Sequence, residues 1–446
     1  MRILHYFLGF PPYRSGGLTK YAFDLMKAQV TDGHIVMALW PGRIKNYCAQ
    51  PMVKETRMVE GIRSLELINP LPVPLDEGIS EFDAYTSPCD VNVYITFLNV
   101  EKPDVIHIHT LMGMHKEFIQ AANQCKIRTV MTSHDYFGLC PKVTLYRYGK
   151  CCDDDNGCRK CIQCNLTPLS LKSILFMQSP LYRWMKDTAI VKKLRKQHRG
   201  QFFSEEILPE MPNLDIEKLA EKYRKLRTYY VDMLESIDFI HFNSTVAEKI
   251  YRRYMTPKDS DVISITHQGV SSHQRIHMET GKRVILCLAP AKPFKGWDIL
   301  KTACDQLWAE GKNIELRVYS PVQNPKSYMR VKEEGYLYAE LGQIMEEADV
   351  LVAPSIWYET FGFTVLEALS YGVPVIVSNH VGAKDIIAQN GIVVRAGNVE
   401  DLKKAIMTTI LTVNVDVKDW KTFLNENYEI YTSRRRKENE TARISN

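Results

Sequence analysis

Two glutamates in the second half of this sequence are spaced so that both can bind one polar ligand. Glu359 and Glu367 lie in the stretch PSIWYETFGFTVLEAL, residues 354–369. The stretch follows a predicted strand, Val350–Ala353, and open α/β sheets bind ligands at the carboxyl ends of their strands. A helix predicted to begin near Thr360–Phe361 places Glu359 just before it and Glu367 about two turns along. Two such carboxylates can accept hydrogen bonds from sugar or ribose hydroxyls, and two ordinary surface glutamates are the alternative interpretation.

The residues around these glutamates resemble the donor-site motif of glycosyltransferase family 4. The stretch reads P-S-x-x-x-E-T-F-G-F-x-x-L-E-A-L and is followed by GVPVI at residues 372–376, which ends the predicted helix and starts the next strand. That family has the GT-B fold and transfers sugars with retention of anomeric configuration. The resemblance implies that Glu359 contacts the hydroxyls of the donor sugar and that Glu367 contacts the nucleotide ribose. It also implies that the sugar is held by the backbone N–H groups of Thr360, Phe361 and Gly362.

A loop with two lysines is predicted to bind the phosphates of the donor. Residues 290–296, PAKPFKG, follow a predicted strand and precede a helix, and they resemble the family's G-R-x-x-x-x-K-G with Lys295 at the lysine position. The family's glycine and arginine fall on Ala289 and Pro290, so Lys292 is the candidate for the missing cation. Because pyrophosphate is the leaving group in that family, fixed donors beside it would stabilise the charge that develops.

A glycine pair near the N-terminus is the third predicted ligand contact. Gly16 and Gly17 follow the first predicted strand and precede the predicted helix Leu18–Thr31. Glycine lets the backbone approach a ligand closely and can open a helix N-terminus toward it, although such a pair is also typical of a plain turn. Its position in the family pattern, with Gly33–Val36 after the helix, favours ligand binding.

Histidines line or end two predicted strands of the first half. His107 and His109 share one face of the strand Val105–His109, because side chains alternate along a strand, and a hydrogen-bonded structural role is favoured for His109. His134 follows the strand Thr129–Ser133, and the resemblance implies that it lies against the transferring sugar. No catalytic metal is expected. The predicted catalytic residues are Glu359, His134 and Lys295.

Six of the eleven cysteines lie between Cys140 and Cys164, with C-x2-C-x2-C spacing from Cys158. Paired C-x2-C spacing lets two thiolates reach one metal ion, and four sulfurs suit a structural zinc. Free thiols are the first alternative, followed by a disulfide or an iron–sulfur cluster. The predicted zinc ligands are Cys140, Cys151, Cys158 and Cys161.

The segment that follows is both basic and amphipathic. Seven cations and one acidic residue, Asp187, fall within residues 183–199, and apolar residues from Leu181 onward are interleaved with them. Such a helix can lie on an anionic membrane surface, and a solvated helix face is the alternative. Because many acceptors of the family are lipid-linked glycans, residues 181–199 are the predicted peripheral membrane contact.

Length and composition agree with a globular protein of two domains. The chain has 446 residues, of which 45% are hydrophobic and 24% charged, and a net charge of +5, which argues against disorder and against a polycationic nucleic-acid binder. Strand-like runs alternate with helical stretches, as parallel α/β sheets require. With the resemblance, this predicts two Rossmann-like domains, an acceptor-binding one over 1–272 with an insertion at 140–235 and a donor-binding one over 273–415. A C-terminal helix over 416–446 is expected to return to the first domain.

The sequence has no run of about 20 apolar residues and no signal-like N-terminus, so we expect a cytoplasmic protein, peripheral at the inner face of the membrane. The expected donor is a nucleotide-sugar, with a UDP-sugar favoured and a GDP-sugar open. The expected acceptor is a glycan or lipid-linked glycan of surface polysaccharide or glycoconjugate biosynthesis. The alternatives are a nucleotide-sugar epimerase of similar form and a non-catalytic sugar-binding protein. A dinucleotide-dependent oxidoreductase is disfavoured because no G-x-G-x-x-G follows the first strand.

Overall fold

The computed structural model describes residues 1–11, 13–14, 16–45, 49–166, 168–186, 188, 191, 193, 215–273, 281–409 and 417–444. In these ranges the chain forms two predominantly parallel β-sheets, one in each half, with helices between successive strands. This arrangement confirms the predicted α/β class with two Rossmann-like domains. The predicted domain boundary at 272/273 lies next to residues 274–280, and the one at 415/416 falls within residues 410–416. Both stretches lie outside the described residues.

The strands of the first half are β1 Arg2–Tyr6, β2 Ile35–Pro41, β3 Met52–Val59, β4 Ile62–Ile68, β5 Val105–Ile108, β6 Arg128–Thr132, β7 Tyr146–Arg147, β8 Lys150–Cys151, β9 Phe239–Phe242 and β10 Ser260–Val262. Among the described residues, eight of them form one sheet in the order β10-β9-β6-β5-β1-β2-β4-β3, and β7 and β8 form a separate hairpin. Pairing is parallel throughout the large sheet except between β3 and β4. The antiparallel edge hairpin, which turns at Glu60 and Gly61 with positive φ at both, was not predicted.

Residues of the central strands are buried on both faces of this sheet, as parallel strands covered by helices require. Leu4 and Tyr6 face one hydrophobic core and Ile3 faces another. His5 of β1 lies opposite His107 of β5, so the sheet also buries polar rings. The helices of this half are α1 Gly17–Thr31, α2 Phe82–Tyr85, α3 Val91–Glu101, α4 Lys116–Gln124, α5 Arg159–Cys164, α6 Leu171–Met177, α7 Pro180–Met185, α8 Ile216–Ser236 and α9 Thr245–Tyr251.

The strands of the second half are β11 Arg283–Cys287, β12 Ile314–Val318, β13 Met329–Val331, β14 Val350–Ala353, β15 Val375–Ser378 and β16 Gly391–Val394. As far as the chain is described, they form a parallel sheet in the order β13-β12-β11-β14-β15-β16. The order reverses between β11 and β14, which creates a crevice at their carboxyl ends. The helices here are α10 Trp297–Ala309, α11 Leu341–Glu346, α12 Phe363–Ser370 and α13 Val399–Thr408, and 3-10 turns span Pro293–Lys295, Tyr338–Glu340 and Gly382–Ile386.

The last helix, α14 Trp420–Ile444, contacts the first sheet. The carbonyl oxygen of Ile430 accepts a hydrogen bond from Arg128 Nε at 2.8 Å. The hydroxyl of buried Tyr431 lies 2.6 Å from His107 Nδ1. The C-terminal helix therefore supplies polar groups to the interior of the first half of the chain.

Candidate active site

An ion pair between Lys295 and Glu359 lies at the carboxyl ends of β11 and β14. Lys295 Nζ donates to Glu359 Oε1 at 2.7 Å. The two loops are held together by a backbone bond from Ile356 N–H to Phe294 O at 2.9 Å. They also meet at Gly296, where a Cβ would collide with the carbonyl oxygen of Pro354. The structure thus brings together the predicted phosphate ligand and the predicted sugar ligand.

The surroundings of Glu359 keep its carboxylate charged. Burial raises its pKa, but the charge of Lys295 and hydrogen bonds from Lys295 and Ser355 outweigh this, so the pKa lies below its ordinary value. Ser355 Oγ donates to Glu359 Oε2 at 2.7 Å, and Lys295 Nζ lies 4.9 Å from the centre of the Trp357 ring. At neutral pH the site therefore presents an acceptor and a cation side by side.

The helix that follows Glu359 begins at Phe363 rather than near Thr360–Phe361 as predicted. Gly362 precedes it with a φ of 111°, a conformation that glycine adopts without strain, so residues 360–362 form a loop. The N–H groups of Thr360, Phe361 and Gly362 donate to no other group in the described part of the chain. They are free to bind an anion or a sugar oxygen at the helix N-terminus.

Glu367 is buried on α12 and is linked to the first half of the chain. His267 Nε2 lies 3.2 Å from Glu367 Oε1. His267 Nδ1 accepts from Lys20 Nζ at 3.1 Å and from the N–H of Gly269 at 3.2 Å. Sequence reasoning missed both Lys20 and His267, because a contact between residues so distant in sequence has no local signal. The predicted ribose ligand is therefore the end of a polar chain that crosses the cleft.

The predicted glycine pair lies across the cleft from α12. Gly17 begins α1, and a Cβ there would lie 3.5 Å from the Phe363 ring. Gly16 precedes the helix with a φ of 115°, which favours glycine. The starts of α1 and α12 thus approach each other, and both helix dipoles present their positive ends to this region.

His134 joins this group through its backbone and its ring. Its carbonyl oxygen accepts from Thr360 Oγ1 at 3.1 Å, and its Nε2 lies 3.3 Å from His109 Nδ1. The rings of His134 and Tyr21 are 4.6 Å apart. Burial lowers the pKa of His134 to about 3, so the ring is neutral at pH 7 and serves as a hydrogen-bonding group rather than a cation. Lys292 shares the loop of Lys295, and its carbonyl accepts the Lys295 N–H at 3.0 Å. Its role as a phosphate ligand stays a prediction.

The cysteine-rich segment does not assemble the predicted zinc ligands. Cys151 Sγ donates to Ile356 O at 2.9 Å and so packs on the loop that precedes Glu359, because the β7–β8 hairpin carries it away from Cys158 and Cys161. The side chains that could hold a metal ion here are those of Asp155, Cys158 and Cys161, whose ligand atoms lie within 4.8 Å of one another. The predicted ligands Cys140 and Cys151 do not belong to this group.

A cation of the chain already occupies that group. Arg227 pairs with Asp155 through Nη1 at 2.5 Å and donates to Cys161 Sγ through Nη2 at 3.7 Å. A metal ion bound by Asp155, Cys158 and Cys161 would have to displace this guanidinium. The residues present therefore do not fit the four-thiolate zinc site that the spacing predicts.

The predicted membrane segment is described only in part. Trp184 is 81% exposed and Leu181 55% exposed on α7. No helix among the described residues is both long and apolar enough to cross a bilayer. Most of the predicted contact lies outside the described residues, including Lys192, Arg195, Lys196, Arg199 and the side chain of Arg183.

Comparisons with known proteins agree with this geometry. Residues 282–411, which hold Lys295, Glu359 and Glu367, match the family model of glycosyl transferases group 1. A protein of the cps region of Klebsiella pneumoniae is 24% identical over 287 residues, covering 63% of this chain and 58% of its own. The O-antigen chain mannosyltransferase B of Escherichia coli is 28% identical over 141 residues, 32% of each chain. The chain spans about half the length of the curated relatives it matches.

Solved structures share the whole architecture at low sequence identity. HepE of Anabaena, in complex with UDP, has a TM-score of 0.50 at 13% identity, covering 97% of this chain and 95% of its own. A trehalose-phosphate synthase of Burkholderia xenovorans, in complex with glucose-6-phosphate, has a TM-score of 0.50 at 10% identity, covering 98% and 99%. These similarities confirm the predicted GT-B fold. With the family match they support a GT-B glycosyltransferase, while membership of family 4 and retention of configuration stay predictions.

Proposed function

We propose that this chain, which carries a glycosyl transferases group 1 domain on a GT-B fold, is a retaining glycosyltransferase of family 4 that uses a nucleotide-diphosphate sugar. The observation that carries the proposal is the ion pair of Lys295 and Glu359 beside the free N–H groups of residues 360–362. A cation, a carboxylate and a helix N-terminus at one point suit a ligand that has both phosphates and sugar hydroxyls.

The proposed reaction assigns a separate task to each group. Lys295 and the positive end of α12 stabilise the diphosphate of the nucleoside diphosphate as it leaves, because fixed donors need no reorganisation when charge develops. Glu359 accepts hydrogen bonds from sugar hydroxyls, and Glu367 binds the ribose. The leaving phosphate takes the proton of the acceptor hydroxyl on the same face of the sugar, which retains the anomeric configuration. His134 lies beside this position as a neutral hydrogen-bonding group.

A UDP-sugar is the favoured donor, with a GDP-sugar as the second candidate, because HepE was solved with UDP on the same fold. The proposed acceptor is a glycan or lipid-linked glycan of surface polysaccharide. This agrees with the cps-region protein of K. pneumoniae and the O-antigen mannosyltransferase of E. coli. Exposed Trp184 and Leu181 support a peripheral contact of residues 181–199 with the membrane, at its cytoplasmic face.

Donor consumption with and without acceptor tests the proposal and separates its rivals. A glycosyltransferase consumes the donor faster when acceptor is added and forms a product that is larger by one sugar. A nucleotide-sugar epimerase converts the donor without acceptor, and a non-catalytic sugar-binding protein consumes none. The anomeric configuration of the product, read by NMR, decides between retention and inversion.

A structural zinc is a separate proposal, on a changed set of ligands. Asp155, Cys158 and Cys161 supply two thiolates and a carboxylate, and zinc accepts all three. The ion would displace Arg227 from Asp155 and Cys161. The proposed transfer reaction does not depend on it.

A further inference from the structure

Five histidines of the described chain form a connected group that extends from His134 into the first sheet. They are His5, His107, His109, His134 and His241, and all but His134, which lies at the cleft, are fully buried. The ligand atoms of His5, His107 and His109 lie within 4.8 Å of one another, so the group could also hold a metal ion. The hydrogen bonds of the five rings decide between these uses.

The first part of the group runs from a loop carbonyl to the C-terminal helix. His241 Nε2 lies 2.7 Å from Ile263 O, and His241 Nδ1 lies 3.0 Å from Thr132 Oγ1. The same hydroxyl lies 2.8 Å from His107 Nε2. His107 Nδ1 lies 2.6 Å from the hydroxyl of Tyr431 on α14. Each ring nitrogen in this part has one partner.

The second part continues from that helix to the candidate active site. Gln29 Nε2 lies 3.1 Å from the Tyr431 hydroxyl, and Gln29 Oε1 lies 2.7 Å from His5 Nε2. His5 Nδ1 lies 3.0 Å from His109 Nε2. His109 Nδ1 lies 3.3 Å from His134 Nε2. The series therefore ends at His134, whose Nδ1 has no partner within the described residues.

Burial keeps all five rings neutral at pH 7. It lowers the pKa of His5 and of His241 to about 4 and that of His134 to about 3. Burial, with repulsion from neighbouring rings, lowers the pKa of His107 and of His109 well below the ordinary value. A neutral imidazole has one N–H donor and one acceptor nitrogen, so each ring must use one nitrogen in each way.

One end of the series fixes the direction of every bond. The carbonyl of Ile263 can only accept, so His241 carries its proton on Nε2 and accepts at Nδ1. The hydroxyl of Thr132 therefore donates to His241 and accepts from His107 Nε2–H. His107 Nδ1 then accepts from the hydroxyl of Tyr431.

The same rule carries the direction to the candidate active site. Since the Tyr431 hydroxyl has donated its one proton, it accepts from the amide NH2 of Gln29. The oxygen of Gln29 then accepts from His5 Nε2–H, and His5 Nδ1 accepts from His109 Nε2–H. His109 Nδ1 accepts from His134 Nε2–H. The opposite direction fails, because Thr132 Oγ1 would then donate to His107 and its lone pair would face that of His241 Nδ1.

We propose that this one-way relay holds His134 in the Nε2–H tautomer, so that its Nδ1 offers a lone pair to the cleft. Gln29 and Tyr431 are then positioning residues that act through His5 and His109. A metal ion bound by His5, His107 and His109 would have to break the hydrogen bonds that join their nitrogens to one another or to Gln29, Thr132 and Tyr431.

The consequence for catalysis rests on the proposed function, in which His134 lies against the sugar. An acceptor nitrogen there can receive a hydrogen bond from a sugar hydroxyl but cannot donate one to the departing phosphate. The relay therefore makes His134 an acceptor for a sugar hydroxyl and not a general acid. The tautomer itself does not depend on whether the chain transfers sugars.

The test is the tautomer of His134 in the full-length chain, labelled with 15N-histidine. Long-range 1H–15N correlation spectra separate protonated from unprotonated ring nitrogens, and Hδ2 identifies Nε2 in each ring. Resonances are assigned by their loss in single His→Gln variants. We expect all five rings of the relay to carry the proton on Nε2 at about pH 7. An Nδ1–H signal for His134, or stoichiometric zinc in the purified chain lost in His5→Gln, would overturn the proposal.

Tyr431→Phe tests whether the relay sets the tautomer. The variant removes the only proton that links His107 to Gln29, so the Nε2–H signal of His134 should give way to a mixture of tautomers, and kcat should fall more than the KM for the donor changes. Tyr428→Phe, on the same helix as Tyr431, is the matched control, because it removes a hydrogen bond to Asp32 and no hydrogen bond of the relay. If the His134 spectrum of Tyr431→Phe is the same as that of the wild type, the proposal is overturned. It is also overturned if the wild type lacks the expected Nε2–H signals, even when Tyr431→Phe alters turnover. If the wild type shows the expected Nε2–H tautomers but transfers no sugar, the result would instead count against the proposed function.

Discussion

Thr360 Oγ1 donates a hydrogen bond to the backbone carbonyl of His134 at 3.1 Å, which joins the loop before α12 directly to a strand end of the first domain. The carbonyl of Thr360 also accepts from Ser244 Oγ. The loop that precedes α12 is therefore bonded to the first domain through both the side chain and the carbonyl of Thr360. A site with parts on two domains depends on such bonds for its geometry.

Removing this bond should weaken catalysis without unfolding the chain. Thr360→Val loses one neutral hydrogen bond, worth about 0.5–1.5 kcal/mol, so we expect kcat/KM to fall roughly threefold to tenfold. Steady-state kinetics measures the change, and Thr408→Val, at an exposed position of α13, is the control. Equal kinetics for the two variants would show that the bond does not position the loop.

Loss of the carboxylate of Glu359 should be much more severe. A hydrogen bond to a charged group contributes about 1.5–3 kcal/mol, and Glu359 is proposed to accept from more than one hydroxyl. We expect Glu359→Ala to reduce transfer by at least about 100-fold with a circular-dichroism spectrum like that of the wild type. Glu334→Gln, exposed in the same domain, is the control, and retained turnover in Glu359→Ala would reject the site assignment.

Lys295→Ala removes the cation at the proposed pyrophosphate. Loss of one fixed donor at a developing charge typically costs about 100-fold to 1000-fold in kcat, and we expect a loss in that range. The pKa of Glu359 should rise at the same time, because the charge of Lys295 is the strongest of the effects that lower it. Lys312→Ala is an exposed control in the same domain. Full activity of Lys295→Ala would show that another group holds the phosphates.

The carboxyl of Asp135 should make the fold less stable as pH rises. Burial raises its pKa to about 6, against hydrogen bonds from the Phe137 N–H and the Thr110 hydroxyl that lower it. The folded state therefore binds the proton more tightly than the unfolded state does, so this contribution is complete below about pH 4 and is lost as pH rises through about 6. Its size is about 3 kcal/mol. In urea titrations, Asp135→Asn should flatten the decline between these pH values, while exposed Asp83→Asn should not.

Elemental analysis of the reduced chain tests the zinc proposal. About one zinc per chain is expected if the ion displaces Arg227, and the double variant Cys158→Ser, Cys161→Ser should then lose it. Cys304→Ser, buried in the second domain, should not. If the purified chain contains no zinc and is equally stable, the zinc proposal is wrong, and Arg227 is the partner of Asp155 and Cys161.

Sequence reasoning located the parts of the site that depend on local spacing. Lys295, Glu359 and Glu367 follow strands or lie on a helix, and the structure places them where the strand–helix pattern implies. The start of α12 was placed too early, because the motif does not reveal that Gly362 adopts a left-handed conformation. Propensity marks a helix boundary only to within a few residues.

Contacts between distant parts of the chain could not be predicted in the same way. Lys20 and His267 reach Glu367 through an arrangement of two domains, and one sequence carries no local signal for it. The predicted zinc ligands are not brought together for a related reason, because spacing alone does not show that the β7–β8 hairpin turns Cys151 toward Ile356. Nor does spacing show that Asp155 lies beside Cys158 and Cys161.

That hairpin has a consequence for how the protein can be divided. Besides the bond of Cys151 to Ile356, Asp153 accepts a hydrogen bond from the hydroxyl of Tyr358 and pairs with Arg253 at 2.8 Å. A segment of the first domain therefore contacts the residues just before Glu359. A hybrid chain that took only its second domain from another source would lose the bonds of Cys151 and Asp153 to this loop, together with those of His134, Ser244 and His267. An exchange of second domains between such proteins must therefore preserve all of these contacts and not only the fold of each half.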